Sequence, residues 1–110
     1  MKKVFNLKDK LSSTGEVILG AEDTGSHACY LIYGVLGPRE KGRLLKPGSG
    51  HEELFFVLKG EVALRGECEL VLKEGQAVHF VGEETFYAEN LTEAEAVYVI
   101  AGGHSEGRHH

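Results

Sequence analysis

Glycine and proline divide this chain into short segments, and their spacing constrains the fold more than any other feature. Fifteen glycines and two prolines fall between short apolar runs, so that turns recur roughly every 6 to 12 residues. β-Branched and aromatic residues are frequent between the turns, and no segment keeps the 3.6-residue apolar period of an amphipathic helix over three turns. The pattern predicts an all-β protein, built as a sandwich or barrel of antiparallel strands.

The stretch from Gly48 to Gly60 contains the predicted central strand. Residues 54–58 within it are apolar at every position. A strand that is apolar on both faces has to be covered on both faces. One cover is the interior of the barrel, and the other is either a second subunit or the N-terminal strand. This pattern leads us to predict a homodimer.

The 110 residues are enough for one domain, in which we distinguish three segments. Residues 1–26 are predicted to form N-terminal strands and a turn that pack on the barrel, with the first strand inside residues 1–11. Residues 27–101 are predicted to form the barrel itself. Residues 102–110 are predicted to be a flexible tail.

The tail contains three histidines, His104, His109 and His110. His109 and His110 are either native residues or the remnant of an expression tag. Such histidines bind nickel or zinc readily, and they could mislead a measurement of metal content.

Charge, hydropathy and cysteine spacing exclude several classes of protein. The formal net charge is −5 at pH 7, and such a surface repels phosphate backbones, so we expect no nucleic-acid partner. No apolar run reaches the roughly 18–20 residues that cross a bilayer, and the N-terminus lacks the apolar region of a signal peptide. Cys29 and Cys68 have no CxxC spacing and are predicted to be reduced core residues, as in a cytoplasmic protein.

Two groups of residues make the chain similar to the cupin family. Glu53 is followed after six residues by Gly60, as in the first cupin motif, G-x5-H-x-H-x3,4-E-x6-G. Gly75 and Asn90 have the separation found in the second motif, G-x5-P-x-G-x2-H-x3-N. The resemblance covers residues 31–101, and it implies an antiparallel double-stranded β-helix, or jelly-roll barrel.

The metal ligands of the cupin motifs are the part that this chain lacks. The paired histidines of the first motif would fall within residues 46–49, and none of these is a histidine. Phe86 stands in the place of the third histidine, so Glu53 alone remains of the usual set. Because a divalent ion needs at least three suitable protein ligands, the standard cupin site is not predicted.

A rebuilt metal site remains possible from the residues alone. His51 and Glu53 are two residues apart on one strand and therefore point to the same face. His79 or His27 could add a nitrogen and complete a site for zinc, iron, manganese or nickel. The alternatives are that His51 and Glu53 only hydrogen-bond to each other or to a turn, and that His79 is a wall residue between Val78 and Phe80.

The resemblance places a small-molecule pocket at the mouth of the barrel. We predict that six residues line it: Tyr30, His51, Glu53, Phe55, His79 and Phe86. A carboxylate beside apolar rings is expected to have a raised pKa. The favoured hypothesis is a protein that binds a small molecule of undetermined identity. The alternative is a cupin-type enzyme, an isomerase or an oxygenase-like protein that uses His51 and Glu53 for metal-dependent or acid–base chemistry.

Overall fold

The computed structural model describes residues 2–105, and within that range nine β-strands form two antiparallel sheets. A 3-10 helix spans Lys8–Lys10, and a one-turn helix, α1, spans Ala21–Thr24. The strands are β1 (Glu16–Leu19), β2 (Cys29–Leu36), β3 (Arg43–Leu45), β4 (His51–Lys59), β5 (Glu61–Gly66), β6 (Leu70–Lys73), β7 (Ala77–Val81), β8 (Phe86–Glu89) and β9 (Ala96–His104).

The larger sheet has the strand order β1-β2-β9-β4-β7, and the smaller one has the order β3-β8-β5-β6. The chain passes between the two sheets several times. The crossing from β4 to β5 is at Gly60, whose φ of 82° is a left-handed conformation that glycine adopts without strain. The two sheets enclose a single core. The predicted all-β jelly-roll barrel of antiparallel strands is therefore confirmed.

Alternation along β4 decides which side chains enter the barrel. Glu53, Phe55 and Val57 are at most 5% exposed, because they point inward. Leu54, Phe56 and Leu58 point outward and remain 52%, 37% and 49% exposed, respectively. The N-terminal strand β1 does not cover them, because it belongs to the same sheet and is separated from β4 by β2 and β9.

Aromatic rings fill the centre of the barrel. Phe80 stacks on Phe86 with 4.3 Å between ring centroids, and Phe55 stacks on Tyr98 at 4.8 Å. Phe55 and Phe80 are fully buried, and Phe86 is 3% exposed. The prediction that Phe55 and Phe86 line a pocket at the mouth is therefore wrong, because both rings are used to pack the core.

Both ends of the barrel differ from the predicted boundaries. Among residues 2–11 the structure has no strand, and the N-terminal strand that pairs with the barrel is β1. The barrel therefore begins before residue 27. At the other end β9 continues through Gly102 and Gly103 to His104, because it pairs with β2 and β4 along its length. His109 and His110 lie outside the described residues.

Asn90, which matches the asparagine of the second cupin motif, is fully buried and holds a loop together. Its amide nitrogen donates to the carbonyl oxygens of Gly37 (3.0 Å) and Ala94 (2.7 Å). Its side-chain oxygen accepts from the backbone nitrogen and the hydroxyl of Thr92. A buried amide needs such partners, so this residue has a structural role.

Cys29 and Cys68 are free thiols, but both are exposed, so the prediction that they belong to the core is wrong. Cys29 begins β2, and Cys68 lies between β5 and β6. In the part of the chain that the structure describes, no helix has the length and apolar character needed to cross a membrane.

Removal of one core ring should destabilise the barrel strongly. Phe80→Ala leaves a cavity between Phe55 and Phe86, and we expect it to lower the free energy of unfolding by about 3–5 kcal/mol. Tyr87→Ala is the control, because Tyr87 is 46% exposed on the outside of the smaller sheet, and it should change the free energy by about 1 kcal/mol or less. Urea unfolding followed by circular dichroism measures both values. Equal effects of the two substitutions would contradict this description of the core.

Candidate ligand-binding site in the barrel

A row of three residues across β2, β9 and β4 builds the mouth of the barrel. Tyr30 pairs with Gly102, and Gly102 pairs with Glu53, so the three lie side by side on the inner face. The Tyr30 ring crosses over Gly102, and its hydroxyl donates to Oε2 of Glu53 at 2.5 Å. A Cβ atom at position 102 would lie 2.3 Å from Cζ of Tyr30. Only glycine therefore lets this ring reach the strand beyond its neighbour.

A second row repeats this arrangement deeper in the barrel, across β9, β2 and β1. Tyr98 pairs with Gly34, and Gly34 pairs with Glu16. The Tyr98 hydroxyl donates to the carboxylate of Glu16. A Cβ atom at position 34 would lie 2.2 Å from Cζ of Tyr98. The inner face of the larger sheet thus holds two carboxylates, each oriented by a tyrosine that lies across a glycine.

Arg43 fixes the direction of the inner hydrogen bond. Its Nη1 donates to the Tyr98 hydroxyl at 3.1 Å, and its Nη2 forms an ion pair with Glu40 at 2.7 Å. Because a guanidinium cannot accept a hydrogen bond, the Tyr98 hydroxyl has to accept from Arg43 and donate to Glu16.

Burial keeps both tyrosines protonated and makes Glu53 a weaker acid. Burial, together with the neighbouring Glu53, raises the pKa of Tyr30 well above its usual range. Burial also raises the pKa of Tyr98, and Glu16 adds to this effect while Arg43 opposes it. The pKa of Glu53 is raised chiefly by burial and further by Glu16, although the Tyr30 hydroxyl and His51 oppose the change. The raised pKa expected for Glu53 is confirmed in direction.

Two adjoining cavities lie against the two rows. The outer cavity has a volume of about 390 Å³, and its lining includes Tyr30, His51 and Glu53. The inner cavity has a volume of about 200 Å³, and its lining includes Glu16 and Glu53. Four residues line both cavities: Ile18, Ile32, Lys46 and Glu53. Glu53 therefore stands where the two spaces meet.

His51 and Glu53 lie close together, as predicted. The His51 ring approaches the Tyr30 ring edge-on with 5.8 Å between centroids, and it lies 5.1 Å from the ring of His104. Its Nδ1 is buried and has no hydrogen-bond partner among residues 2–105. His27 is exposed and lines the outer cavity.

His79 lies on the outer face and lines a separate cavity of about 360 Å³. Its predicted place in the mouth pocket, and as a metal ligand beside His51, is therefore wrong. His79 pairs with Leu54 across β7 and β4, and both side chains point out of the barrel. Its Nε2 lies 2.8 Å from Oε1 of Glu52 on the outer face. The flanking residues Val78 and Phe80 are the ones that face inward.

The residues present do not fit the divalent ion that the resemblance implies. Within residues 2–105, no group of three or more histidine, cysteine, aspartate or glutamate side chains is arranged to hold a metal. His79 cannot complete a site with His51 and Glu53, because it faces outward. His27 lines the outer cavity but forms no such group with them. At the position of the missing cupin histidine, Phe86 is packed against Phe80. The candidate site is therefore a cavity with oriented carboxylates.

The inner row, formed by Glu16, Gly34 and Tyr98, was not predicted from the sequence. Glycine inside a strand signals close approach of another group, and both Gly34 and Gly102 lie within otherwise apolar strands. That signal could have located the two tyrosines. The pairing of Tyr98 with Glu16 joins residues 82 positions apart, and no local pattern indicates it.

No protein-family model matches the chain, and no curated protein matches it. Its structure is similar to that of an uncharacterized conserved protein with a double-stranded β-helix domain from Klebsiella pneumoniae subsp. pneumoniae MGH 78578 (TM-score 0.71, 12% identity, covering 96% of this chain and 93% of that one). It is also similar to a predicted oxalate decarboxylase from Thermotoga maritima (TM-score 0.67, 18% identity, covering 82% and 81%). A third similar structure is the Schizosaccharomyces pombe Cnp3 cupin domain (TM-score 0.63, 9% identity), where 71% of this chain spans 54% of the other.

These likenesses establish the fold of the chain, which is the cupin double-stranded β-helix. The cupin resemblance seen in the sequence is confirmed at this level. At such low identities, the activities and ligands of these neighbours cannot be assigned to this chain.

Glu53 should lower stability near neutral pH, because its charged form is buried. Its pKa is raised in the folded state from the ordinary value of 4.5, so the folded protein binds more protons than the unfolded one above that pH. Stability should therefore fall as pH rises through the folded pKa. Glu53→Gln keeps an acceptor for Tyr30 and removes the charge. We expect its Tm to exceed the wild-type value near neutral pH and to converge with it below about pH 4.5.

Thermal unfolding of the ligand-free proteins across this pH range measures the effect. A gain of about 1 kcal/mol would raise the Tm by about 4–8 °C in a domain of this size. Glu67→Gln is the control, because it removes an exposed carboxylate and should give no such pH-dependent gain. A Glu53→Gln curve parallel to that of the wild type would show that the carboxylate is not buried as described.

Proposed function

We propose that this chain, which has the cupin fold, binds a small molecule in the two adjoining cavities of its barrel. The observation that carries the proposal is the Glu53 carboxylate. It is 5% exposed, it lines both cavities, and Tyr30 holds it in one orientation. A buried, perturbed ionisable group in a cleft is a physical indication of a functional site.

The walls of the cavities support the same proposal. Ile18, Ile32 and Ile100 supply apolar surface, and a few polar groups converge on it. Small-molecule sites typically combine apolar walls with a small number of oriented polar groups and occupy about 300–1,000 Å³. The outer cavity, at about 390 Å³, is within that range.

A second candidate function is acid–base catalysis by His51 and Glu53. The raised pKa of Glu53 favours it, because a carboxyl group with a raised pKa exchanges protons more readily near neutral pH. The two functions predict different results for His51→Gln. In an enzyme, the wild type should turn over a bound compound, and His51→Gln should abolish this turnover without weakening binding. In a binding protein, neither the wild type nor His51→Gln should turn the compound over.

Filling the cavity should prevent binding without damage to the core. Ile18 lines both cavities and is 59% exposed, so Ile18→Trp can occupy the space from its open side. In a thermal-shift screen of small amines, alcohols and carboxylates, we expect at least one compound to stabilise the wild type. Stabilisation should reach about 2.7 kcal/mol at 100 times the Kd.

Ile18→Val, which leaves the cavity open, is the matched control for this screen. The compound should stabilise Ile18→Val and leave the Tm of Ile18→Trp unchanged. If every stabilising compound acts equally on both variants, the binding site is elsewhere.

We also propose that the chain forms a homodimer through the outward side chains of β4, namely Leu54, Phe56 and Leu58. Their exposure, and the place of β1 within the same sheet rather than over its outer face, support a second subunit as the cover. A two-fold dimer uses one patch on both subunits, so an apolar patch complements itself. The five strands together contain 35 residues. At about 3.4 Å per residue and about 4.8 Å between strands they give a flat face of about 570 Å², near the lower end of the roughly 600–1,000 Å² per partner of stable interfaces.

Charge on the outer face of β4 should separate the subunits. The wild type is expected at twice the 12.0 kDa mass of the chain, measured by light scattering after gel filtration at micromolar concentration. Leu54→Lys combined with Leu58→Lys should give the monomer mass. Val71→Lys, on the smaller sheet and 53% exposed in the wild type, should remain dimeric. A wild-type protein of monomer mass would overturn the dimer proposal.

The two free cysteines also support a proposed cytoplasmic location, because exposed thiols such as Cys29 and Cys68 persist in a reducing compartment.

A further inference from the structure

The two carboxylates of the barrel face a common space and are separated by an apolar band. Glu16 and Glu53 both line the inner cavity. Between their rows, Ile18 pairs with Ile32 and Ile32 pairs with Ile100, so one isoleucine comes from each of β1, β2 and β9. Along the inner face, this isoleucine band therefore lies between the row of Glu16 and the row of Glu53.

Each carboxylate retains the ability to accept hydrogen bonds from a ligand. Tyr30 donates to Oε2 of Glu53, and among residues 2–105 no other side chain donates to this carboxylate. A carboxylate offers about four acceptor positions. Because Glu53 is 5% exposed, water has little access to it, and a ligand in the cavity is the natural donor.

Among residues 2–105, no lysine or arginine forms an ion pair with Glu16 or Glu53. Arg43 lies near the inner row but is already bonded to Glu40, Tyr98 and the carbonyl oxygen of Gly15. Lys46 lines both cavities, but its side chain is exposed to solvent.

The remaining titratable groups at the cavities lie towards the mouth. They are His27, Cys29 and His51, all at the outer cavity. The interior is therefore electronegative and would repel a ligand carboxylate or phosphate.

We propose that the ligand is a short aliphatic diamine or a closely related dication, with one ammonium group on Glu53, the other on Glu16, and its hydrocarbon chain on the isoleucine band. This inference rests on the proposed binding function and specifies its ligand class. An ammonium group offers three donors and a compact charge, which match an oriented carboxylate. The repulsion between Glu16 and Glu53 falls when both are neutralised, so two charges on one ligand bind better than one.

The test uses 1,4-diaminobutane as the probe, with longer and shorter diamines to find the best chain length. Butylamine, 1,4-butanediol and succinate are the comparison compounds. In calorimetric titrations near neutral pH, the wild type should bind one of the diamines at least about 10-fold more tightly than butylamine. A charged hydrogen bond of about 1.5–3 kcal/mol corresponds to about 10-fold or more in Kd. Succinate should not bind.

Single and double substitutions locate the two ends of the ligand. Glu16→Gln and Glu53→Gln should each reduce diamine binding at least about 10-fold and bring it close to that of butylamine. The double variant should bind neither amine. Both substitutions keep an acceptor for the tyrosine, and thermal unfolding checks that the variants fold. Glu67→Gln, an exposed control, should bind as the wild type does.

Proton release on binding gives a second measurement. An ammonium beside Glu53 favours its ionised form, so binding should release protons and weaken as the pH is lowered. Titrations in two buffers of different ionisation enthalpy measure this release. It should be smaller in Glu53→Gln.

The outcomes separate this inference from the proposed function. If butanediol or succinate binds the wild type and loses binding in Ile18→Trp, the cavity binds ligands but the diamine proposal is wrong. If diamines bind equally to wild type and the double variant, the carboxylates do not hold them. If no compound of the three classes binds, both proposals are overturned.

Discussion

The hydrogen bond from Tyr30 to Glu53 links β2 to β4 across the strand between them, and the geometry of the mouth depends on it. Burial of a carboxylate is unfavourable unless it is hydrogen-bonded or paired with a charge. Here a tyrosine supplies the donor, and burial keeps that tyrosine protonated. The bond exists only because Gly102 leaves room for the ring. One glycine, one phenol and one carboxylate on three neighbouring strands therefore determine where the acidic group of the cavity lies.

The inner row uses the same arrangement to hold the edge of the sheet. Glu16 is on β1, which lies at the edge of the larger sheet and, within the described part of the chain, pairs with β2 alone. Tyr98 reaches it across Gly34, and Arg43 from the other sheet supports the tyrosine. Polar contacts around the inner cavity thus join three strands: β1 at the edge, β9 at the centre of the larger sheet, and β3 of the smaller sheet. Such a network lends rigidity when its members are satisfied, and the free acceptor positions of the two carboxylates are then the part left for a ligand.

The strands and the inward position of Glu53 were predictable, whereas much of the site was not. The turn spacing and the motif around Glu53 and Gly60 are local features of the sequence, so they could be recognised directly. The two-residue period of a strand placed His51 on the same face as Glu53. His79 shows the limit of this reasoning, because a shift of one residue in register moves a side chain to the other face. Its pairing with Leu54 was not visible in the sequence. The prediction that Phe86 lines the pocket was wrong for another reason, because an aromatic ring suited to a pocket wall is equally suited to a core.

The inner row depends on contacts between distant parts of the chain, and this explains why it was missed. Glu16 stands in a short strand near the N-terminus, and Tyr98 lies in a run of apolar residues near the other end. Neither position suggests a partner by itself. The sheet order brings β1 and β9 to either side of β2. In that arrangement Gly34 of β2 leaves room for the Tyr98 ring to reach Glu16.

The larger sheet reverses the usual distribution of side chains in two places. Its inner face contains Glu16 and Glu53, although the interior of a small barrel is normally apolar. Its outer face exposes Leu54, Phe56 and Leu58, although an outer face is normally polar. Each departure is unfavourable in an isolated, empty subunit, because charge is desolvated inside and apolar surface is hydrated outside. A cationic ligand would neutralise the first and a second subunit would bury the second. The two faces of one sheet thus support the ligand proposal and the dimer proposal by independent physical arguments.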